Sequence, residues 1–317
     1  MKRRVKIPLA VILALIVLGG VGAYVARREF VGAESFDSDF YANAATTNPD
    51  AAFSYDPYAA TLKAYVDDDG MVDYQGLKED HKKLDEFLLA MARVDKATYD
   101  KWDEDAQVAF WTNAYNALTL KVIIDHYPIE AGLISGLAYP KNSIRQIPGV
   151  WEKIQWLVVG EKLTLDQIEH AILRGKRDEK FNEKFGSFNE PRIHVALVCA
   201  AMGCPELRRE PYLGEKLDDQ LDEQSRIFMN NPGKFRIDRD AGKVYLSSIF
   251  KWFGGDFVKT YLPEEGFGEH SQAERAVLHY ASEYLPDEDA AYLRKGDYAI
   301  EYLDYDWSLN EQQSSEP

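Results

Sequence analysis

A chain of 317 residues, 46% of them hydrophobic, is long and apolar enough to bury a sizeable core, which excludes an intrinsically disordered chain. Acidic residues outnumber basic ones by 53 to 37, and the formal net charge is −16. Beyond residue 28 the basic side chains are scattered singly or in pairs, so nothing offsets the repulsion of a nucleic-acid backbone. We expect no nucleic-acid partner.

The amino terminus has the pattern of an export segment. Residues 1–6 include four basic side chains, and residues 7–26 carry no charge. An uncharged segment of this length can form a transmembrane helix that crosses the roughly 30 Å hydrocarbon core. Only Arg27 and Arg28 follow before Lys63, so the positive-inside rule places residues 1–6 in the cytoplasm and the rest outside, in a periplasmic location. The alternative is a secretory signal that is cleaved after the small residues near Ala26, which would release the protein.

Composition divides the remainder into three parts. Residues 27–54 are rich in Ala, Ser, Asn, Thr and Asp without a sustained period, so they are predicted to be a spacer. Residues 55–310 are predicted to form one domain, and residues 311–317 a frayed tail.

Three helices are predicted inside the domain. The first covers residues 104–127 and is stopped by Pro128. The second covers residues 164–174, where Thr164 and Gln167 have the spacing of a capping box and Gly175 follows. The third covers residues 216–230 and ends before Pro232.

Strand signals are shorter. Hairpins are predicted at residues 154–163, turning at Gly160-Glu161, and at residues 235–246, turning near Gly242. Residues 193–198 fit a buried strand or a short helix, and Gly254-Gly255 is interpreted as a turn. Helices and strands do not alternate regularly, which favours an α+β fold: a single mixed helical domain with a small sheet that contains antiparallel strands.

Two amides stand out in the first predicted helix. Asn113 and Asn116 are three residues apart, share one helix face and have apolar or aromatic neighbours. A buried amide must be satisfied, so both side chains either hydrogen-bond a neighbouring loop and lock it, or line a pocket and hold a substrate carbonyl or an oxyanion.

The second predicted helix presents a carboxylate to the core. On an α-helical wheel Glu169 lies in the middle of the face formed by Leu165, Ile168 and Ile172. Such a carboxylate is either paired with a cation, for which Arg145 is the candidate, or held neutral, and both arrangements occur at functional and structural sites. His170 falls on the polar edge of the same wheel, where surface ion pairs are expected.

The only two cysteines, Cys199 and Cys204, follow His194 in one short segment. A neighbouring imidazole can convert a thiol into a nucleophile, but on a straight strand His194 and Cys199 face opposite sides, so a dyad requires a turn between them. A Cys199–Cys204 disulfide and simple packing are the alternatives. No spacing of metal ligands and no phosphate-binding glycine loop is present, so neither a metal nor another cofactor is expected.

These motifs carry a family resemblance from about residue 55 to residue 310. The stretches that resemble the domain-of-unknown-function 547 family are FWTNAYNAL at 110–118, SIR at 143–145, LTLDQIEH at 163–170, RIHVALVC at 192–199, GCP at 203–205 and YLDYDW at 302–307. The family has no established activity. Plant members add a leucine-zipper region that this chain lacks, and the resemblance implies an exported bacterial member.

Two classes of function follow. In the first, the domain is an extracytoplasmic thiol- or carboxylate-dependent hydrolase or transferase, with His194 as base, Cys199 as nucleophile, Glu169 and Arg145 as orienting or binding groups, and Asn113 and Asn116 as polar stabilisers. In the second, the same residues form a pocket for a small ligand or a peptide, and Cys199 and Cys204 are joined in a disulfide.

Overall fold

The longest helix of the described chain, Glu104–His126, is surrounded by other elements over most of its length. Asp103 caps its start by accepting the Ala106 N–H at 2.8 Å. Every residue from Val108 to Ile124 is buried, as expected for a helix that is apolar on all sides. The helix predicted at residues 104–127 is therefore confirmed, and it forms the centre of the domain.

The computed structural model describes residues 35–42, 52–176 and 178–313. The other α-helices in these ranges are Ser38–Ala42, Asp56–Tyr65, Tyr74–Glu79, Lys82–Arg93, Lys96–Tyr99, Glu179–Phe185, Leu217–Asn230, Ser248–Tyr261, Gln272–Ser282 and Asp287–Lys295. Short 3-10 helices cover Ser135–Leu137, Ile144–Gln146, Pro191–Val195 and Gly214–Lys216, and a π-helix covers Gln167–Leu173.

Two small sheets complete the fold. Strands β1 (Ser35–Phe36), β2 (Ile154–Val158) and β3 (Glu161–Leu163) form one, in which β1 pairs parallel and β3 antiparallel with β2. Strands β4 (Phe235–Asp238), β5 (Lys243–Leu246) and β6 (Ala299–Tyr302) form the other, with antiparallel β4–β5 and parallel β5–β6 pairing. Both predicted hairpins are confirmed, and the fold is α+β with a mixed helical body.

The hydrophobic residues form two cores that meet at one place. The larger core surrounds Glu104–His126, and the smaller one lies between Ser248–Tyr261 and Gln272–Ser282. Tyr305 packs against both cores. The candidate site described below opens at this junction, so its walls come from both halves of the domain.

The structure extends the domain at both of its predicted ends. Ser35–Phe36, inside the predicted spacer, adds a strand beside Ile154 and Gln155. At the other end, Gln312 donates its N–H to Val72 O at 3.0 Å, so part of the predicted tail is bound to the domain. The predicted membrane segment at residues 7–26 lies outside the described residues, and none of the helices described is long and apolar enough to cross a membrane.

Two local predictions need correction, and one open alternative is decided. Residues 193–198 form no strand: Pro191–Val195 is a 3-10 helix, in line with the helical alternative, and the chain turns after it. Gly254 and Gly255 make no turn. They lie inside Ser248–Tyr261, where Gly254 faces Val277 and Ala273. Residues 164–174 begin with the predicted Thr164–Gln167 capping box but continue as a π-helix instead of an α-helix.

Candidate functional site

A cavity of about 260 Å³ opens where the two cores meet. We call it the thiol cavity, because Cys199 and Cys204 lie in its wall. Its volume is close to the lower end of small-molecule sites, about 300–1,000 Å³. Rings of Trp151, Trp252 and Trp307 give it an aromatic lining. A space of this size and lining suits a small organic molecule.

The two thiols share one phenol. Tyr305 Oη lies 3.2 Å from Cys199 Sγ and 2.9 Å from Cys204 Sγ, and the Cys199 N–H donates to Cys204 Sγ at 3.0 Å. Gly203 permits this approach, since a Cβ there would lie 2.8 Å from the Tyr305 ring. Both cysteines are free thiols in the structure, so the disulfide that the sequence left open is not present in it.

The pKa values of the two thiols move in opposite directions. Burial raises the pKa of Cys204, but hydrogen bonds from Cys199 and Tyr305 outweigh burial and lower this pKa to about 7. The hydrogen bond to Cys204, together with burial, raises the pKa of Cys199 well above its usual value. Burial also raises the pKa of Tyr305, which therefore remains a hydrogen-bond donor. At neutral pH the pair can hold one negative charge, centred on Cys204.

The Cys199–Cys204 segment is fixed from both sides. Met202 N–H and Gly203 N–H donate to Ser308 O and Asp306 O, each at 2.8 Å. The buried Lys234 ammonium donates to the carbonyls of Met202 and Cys204. These contacts hold the two sulfur atoms in place relative to Tyr305 before any ligand binds.

His194 belongs to an ionic network and not to the thiol pair. Its Nε2 lies 2.9 Å from Asp256 Oδ2, and its ring stacks on Phe253 at 4.4 Å between centroids. Burial lowers the pKa of His194 despite Asp256, so the ring is neutral at pH 7. A neutral ring that donates Nε2–H to the carboxylate keeps Nδ1 as an acceptor. No hydrogen bond joins His194 to Cys199 in the described chain, so the predicted dyad is not formed.

Asp256 joins three cationic or imidazole groups. Besides His194, its carboxylate accepts hydrogen bonds from Arg174 Nε at 2.6 Å and from Lys176 Nζ. Burial raises the pKa of Asp256, but the bonds from His194, Arg174 and Lys176 outweigh it and hold the pKa well below its usual range. Asp256 is therefore a carboxylate at every physiological pH.

The π-helix turns both Glu169 and His170 towards the thiol cavity. Its wider hydrogen bonding is seen where Arg174 N–H donates to Glu169 O, five residues earlier, at 3.0 Å. Glu169 faces inward as predicted, with 13% of its side chain exposed. His170 was predicted on the surface, but its side chain is only 15% exposed and lines the cavity. The prediction failed because it placed His170 on an α-helical wheel.

His170 is linked to Asp256 through one arginine. Arg174 Nη1 donates to His170 Nδ1 at 2.7 Å while its Nε binds Asp256, and its guanidinium lies 4.7 Å above the Phe253 ring. Because arginine only donates, His170 Nδ1 is the acceptor of this hydrogen bond. His194 and His170, both at the cavity, are thus connected to the same carboxylate, His194 directly and His170 through Arg174.

Arg145 also lines the thiol cavity, but it does not pair with Glu169 as predicted. Its guanidinium carbon lies 4.6 Å from the Tyr139 ring, 5.4 Å from Trp151 and 5.1 Å from Trp307, and Nη2 donates to Tyr139 Oη at 2.6 Å. Three aromatic faces therefore hold the cation at the cavity wall.

Asn113 and Asn116 are not among the residues that line the cavity. Asn113 bonds the backbone of Tyr212 through both ends of its amide, at 2.7 and 2.9 Å. Asn116 donates to Ala196 O at 3.0 Å and accepts the Val198 N–H at 2.8 Å. Both amides thus lock neighbouring segments, the structural alternative left open by the sequence, and Asn116 shapes the turn between His194 and Cys199.

A larger cavity, about 910 Å³, lies on the other side of Cys204. Its wall is charged and self-paired: Arg208 binds Glu210 and Glu223, and Arg209 binds Asp68. Cys204 is its only lining residue with a nucleophilic sulfur of lowered pKa, and the imidazoles and Arg145 line the smaller cavity instead. We therefore assign the chemistry to the thiol cavity.

The sequence predictions and the structure agree on part of this site. Arg145, Glu169, His194 and Cys199 all line the thiol cavity, although they are far apart in the chain. Sequence reasoning missed the roles of Asp256, His170 and Tyr305. Within the described ranges, no group of three or more His, Cys, Asp or Glu side chains is placed to hold a metal ion.

Comparison with known families gives one result. Residues 99–229 match the family model "Protein of unknown function, DUF547". This DUF547 match covers about two fifths of the chain and includes Arg145, Glu169, His194 and both cysteines, but it ends before Asp256 and Tyr305. No curated protein and no solved structure matches the chain.

Proposed function

We propose that this domain is a thiol-dependent hydrolase or acyl transferase for a small substrate, with Cys199 as the nucleophile. One observation carries the proposal: the two sulfur atoms share the Tyr305 hydroxyl in the wall of a cavity that also holds His194, His170 and Arg145. A thiolate near neutral pH, beside polar groups in an aromatic cavity, is the arrangement that nucleophilic thiol catalysis requires.

Cys204 is the proton acceptor in this proposal. Cys204 is only 3% exposed, and its Sγ already receives hydrogen bonds from Cys199 and Tyr305, so this sulfur is poorly placed to attack a substrate itself. Cys199 is half-buried and therefore more accessible. A base with a pKa near the working pH is the most effective. Cys199 Sγ forms a bond to the substrate carbonyl carbon, Cys204 takes the Cys199 proton, and the leaving group departs with that proton.

His194 serves the second half of the reaction. Its neutral ring, oriented by Asp256, accepts a proton from water or from another acceptor molecule as the new oxygen or nitrogen bond to the acyl carbon forms. The Cys199 thioester bond breaks and the thiol is restored. The base for Cys199 is thus Cys204, and His194 acts on the acyl-enzyme.

Acylation by p-nitrophenyl acetate tests the proposal. We expect one acetyl group per chain, bound as a thioester to the peptide that contains Cys199, with a burst of nitrophenolate equal to the enzyme concentration. Mass spectrometry of the intact chain and of its peptides measures both. A chain that acquires no acetyl thioester after reduction, or that is isolated with an intact Cys199–Cys204 disulfide under the conditions of activity, contradicts the proposal.

We also propose that the domain is exported and remains anchored by residues 7–26, as in an exported bacterial member of the family. The uncharged segment after four basic residues supports this topology. A carboxy-terminal alkaline phosphatase fusion should be active, and the protein should stay in the membrane pellet after carbonate extraction. An inactive fusion rejects export, and a soluble chain that begins near residue 27 replaces the anchor by a cleaved signal.

A further inference from the structure

Arg145 is half-buried at the wall of the thiol cavity, and among the described residues its guanidinium makes no ion pair with a carboxylate. Three other half-buried arginines do make such pairs. Arg174 pairs with Asp256, Arg192 with Glu190 and Asp222, and Arg208 with Glu210 and Glu223. The one hydrogen bond that the Arg145 guanidinium makes within the described residues runs to the Tyr139 hydroxyl, and its other neighbours are aromatic faces.

Aromatic faces orient a guanidinium without neutralising it. Cation–π contacts leave the in-plane N–H groups available, and a planar guanidinium matches a carboxylate with two parallel hydrogen bonds. Partial burial of a cation without an anionic partner costs free energy, and an anionic ligand that binds the cation at the cavity wall would offset this cost. The group that matches these N–H donors is a carboxylate.

The backbone beneath Arg145 is rigid. Ser143 Oγ accepts the Arg145 N–H at 3.2 Å, and Ser143 and Ile144 are both fully buried. Gln146 ties the preceding loop together by donating to Pro140 O at 2.9 Å and accepting the Ser135 hydroxyl at 2.6 Å. The guanidinium is therefore held in place before a ligand binds, which reduces the entropic cost of recognition.

One aromatic ring connects Arg145 with the thiols. Trp307 lies 5.1 Å from the guanidinium carbon and 4.5 Å, between centroids, from Tyr305, whose hydroxyl touches both sulfur atoms. Arg145 and Cys199 line the same cavity of about 260 Å³. A short acyl chain can therefore reach both groups at once.

We propose that Arg145 binds the carboxylate of the substrate, so that the natural substrate is a small acyl compound with a single negative charge. This inference rests on the proposed thiol function and names its substrate class. Glu152, Asp166 and Glu169 line the same cavity and disfavour a second anionic group. Arg145 is then the specificity residue, and the carboxylate that it holds directs the carbonyl carbon towards Cys199.

Two esters of equal chain length test this substrate class. Mono-p-nitrophenyl glutarate ends in a carboxylate, and p-nitrophenyl pentanoate ends in a methyl group. For wild type we expect faster acylation by the glutarate ester. Arg145→Gln should lower the acylation rate for the glutarate ester by about 10- to 100-fold, the usual size of a charge-assisted hydrogen-bonded pair, and that for the pentanoate ester by less than about 3-fold.

Arg145→Lys keeps the positive charge, so its acylation rate for the glutarate ester should fall less than that of Arg145→Gln. The control is Arg239→Gln, which removes an exposed arginine paired with Asp289 and should leave both rates unchanged. Equal losses for the two esters in Arg145→Gln overturn the carboxylate site but leave the thiol reaction intact. Absence of acylation by either ester in wild type rejects the thiol function itself.

A binding measurement is independent of turnover and of the variants. Calorimetry with glutaramate, the monoamide with one carboxylate, and with the uncharged diamide glutaramide compares the same carbon chain with and without the charge. Wild type should bind glutaramate at least about 10-fold more tightly, as expected for one charge-assisted contact. Equal affinity, or no affinity for either compound, overturns the assignment of Arg145.

Discussion

Replacing Cys199 by serine should lower the rate of acylation by p-nitrophenyl acetate at least about 1,000-fold, because a serine hydroxyl is not ionised near neutral pH and is a far weaker nucleophile than a thiol. Cys204→Ser keeps the nucleophile but removes the proton acceptor, so its rate should fall by about 100-fold, a usual loss for a missing general base. Stopped-flow measurement of nitrophenolate release gives both rates.

The two cysteine variants control for each other, since each changes one sulfur atom beside Tyr305. Tyr305→Phe removes a hydrogen bond that lowers the pKa of Cys204, so its rate–pH profile should move to higher pH. The assignment is reversed if Cys199→Ser retains the wild-type rate and the acetyl group appears on Cys204. Unchanged thermal unfolding of each variant confirms that the fold is intact.

Replacing Asp256 by asparagine should reduce the free energy of unfolding by about 3 kcal/mol at pH 7, the usual cost of removing one member of a buried charge pair. The variant leaves Arg174 and His194 without the carboxylate that both contact. Urea unfolding measures the loss. Asp289→Asn is the matched control, since it breaks an exposed pair with Arg239 and should cost less than about 1 kcal/mol.

The difference between wild type and Asp256→Asn should depend on pH with a defined sign. The folded-state pKa of Asp256 is lowered, so its carboxylate contributes stability above the unfolded-state pKa of about 3.9. Below about pH 5 Asp256 is increasingly protonated in the unfolded chain but stays ionised in the folded chain. The difference in free energy of unfolding between wild type and Asp256→Asn therefore becomes smaller as the pH falls. A difference that grows on acidification contradicts this role of Asp256.

Local patterns predicted the elements that carry their own signals. The helix Glu104–His126 is apolar over most of its length and has a proline two residues after its end, and both hairpins contain a glycine turn between apolar stretches. Glu169, His194 and Cys199 were recognisable because polar groups stood inside apolar segments. These properties depend on nearby residues alone.

The missed residues depend on contacts between distant segments. Asp256 follows two glycines that resemble a turn, and its role comes from Arg174, Lys176 and His194, which lie more than sixty residues earlier. Tyr305 and Trp307 alternate on an extended segment, which places both rings on one side, but nothing local indicates that this side faces Cys199. Tertiary pairing determined these roles.

The π-helix marks a different limit of sequence reasoning. Residues 164–174 have an ordinary helical composition and begin with a capping box, and none of these residues indicates that the hydrogen bonds will run from i to i+5. The wider turn is enough to move His170 from the predicted surface to the thiol cavity. Its ring then meets Arg174, which completes the connection to Asp256.

Three of the six tryptophans of the chain, Trp151, Trp252 and Trp307, stand in the wall of the thiol cavity. Their indole emission reports on the polarity of that space, so a molecule that enters should change the intrinsic fluorescence of the unlabelled protein. A collection of small carboxylic acids can therefore be screened optically, without knowledge of the reaction and without a synthetic reporter. The protein carries its own sensor for the compound that it recognises.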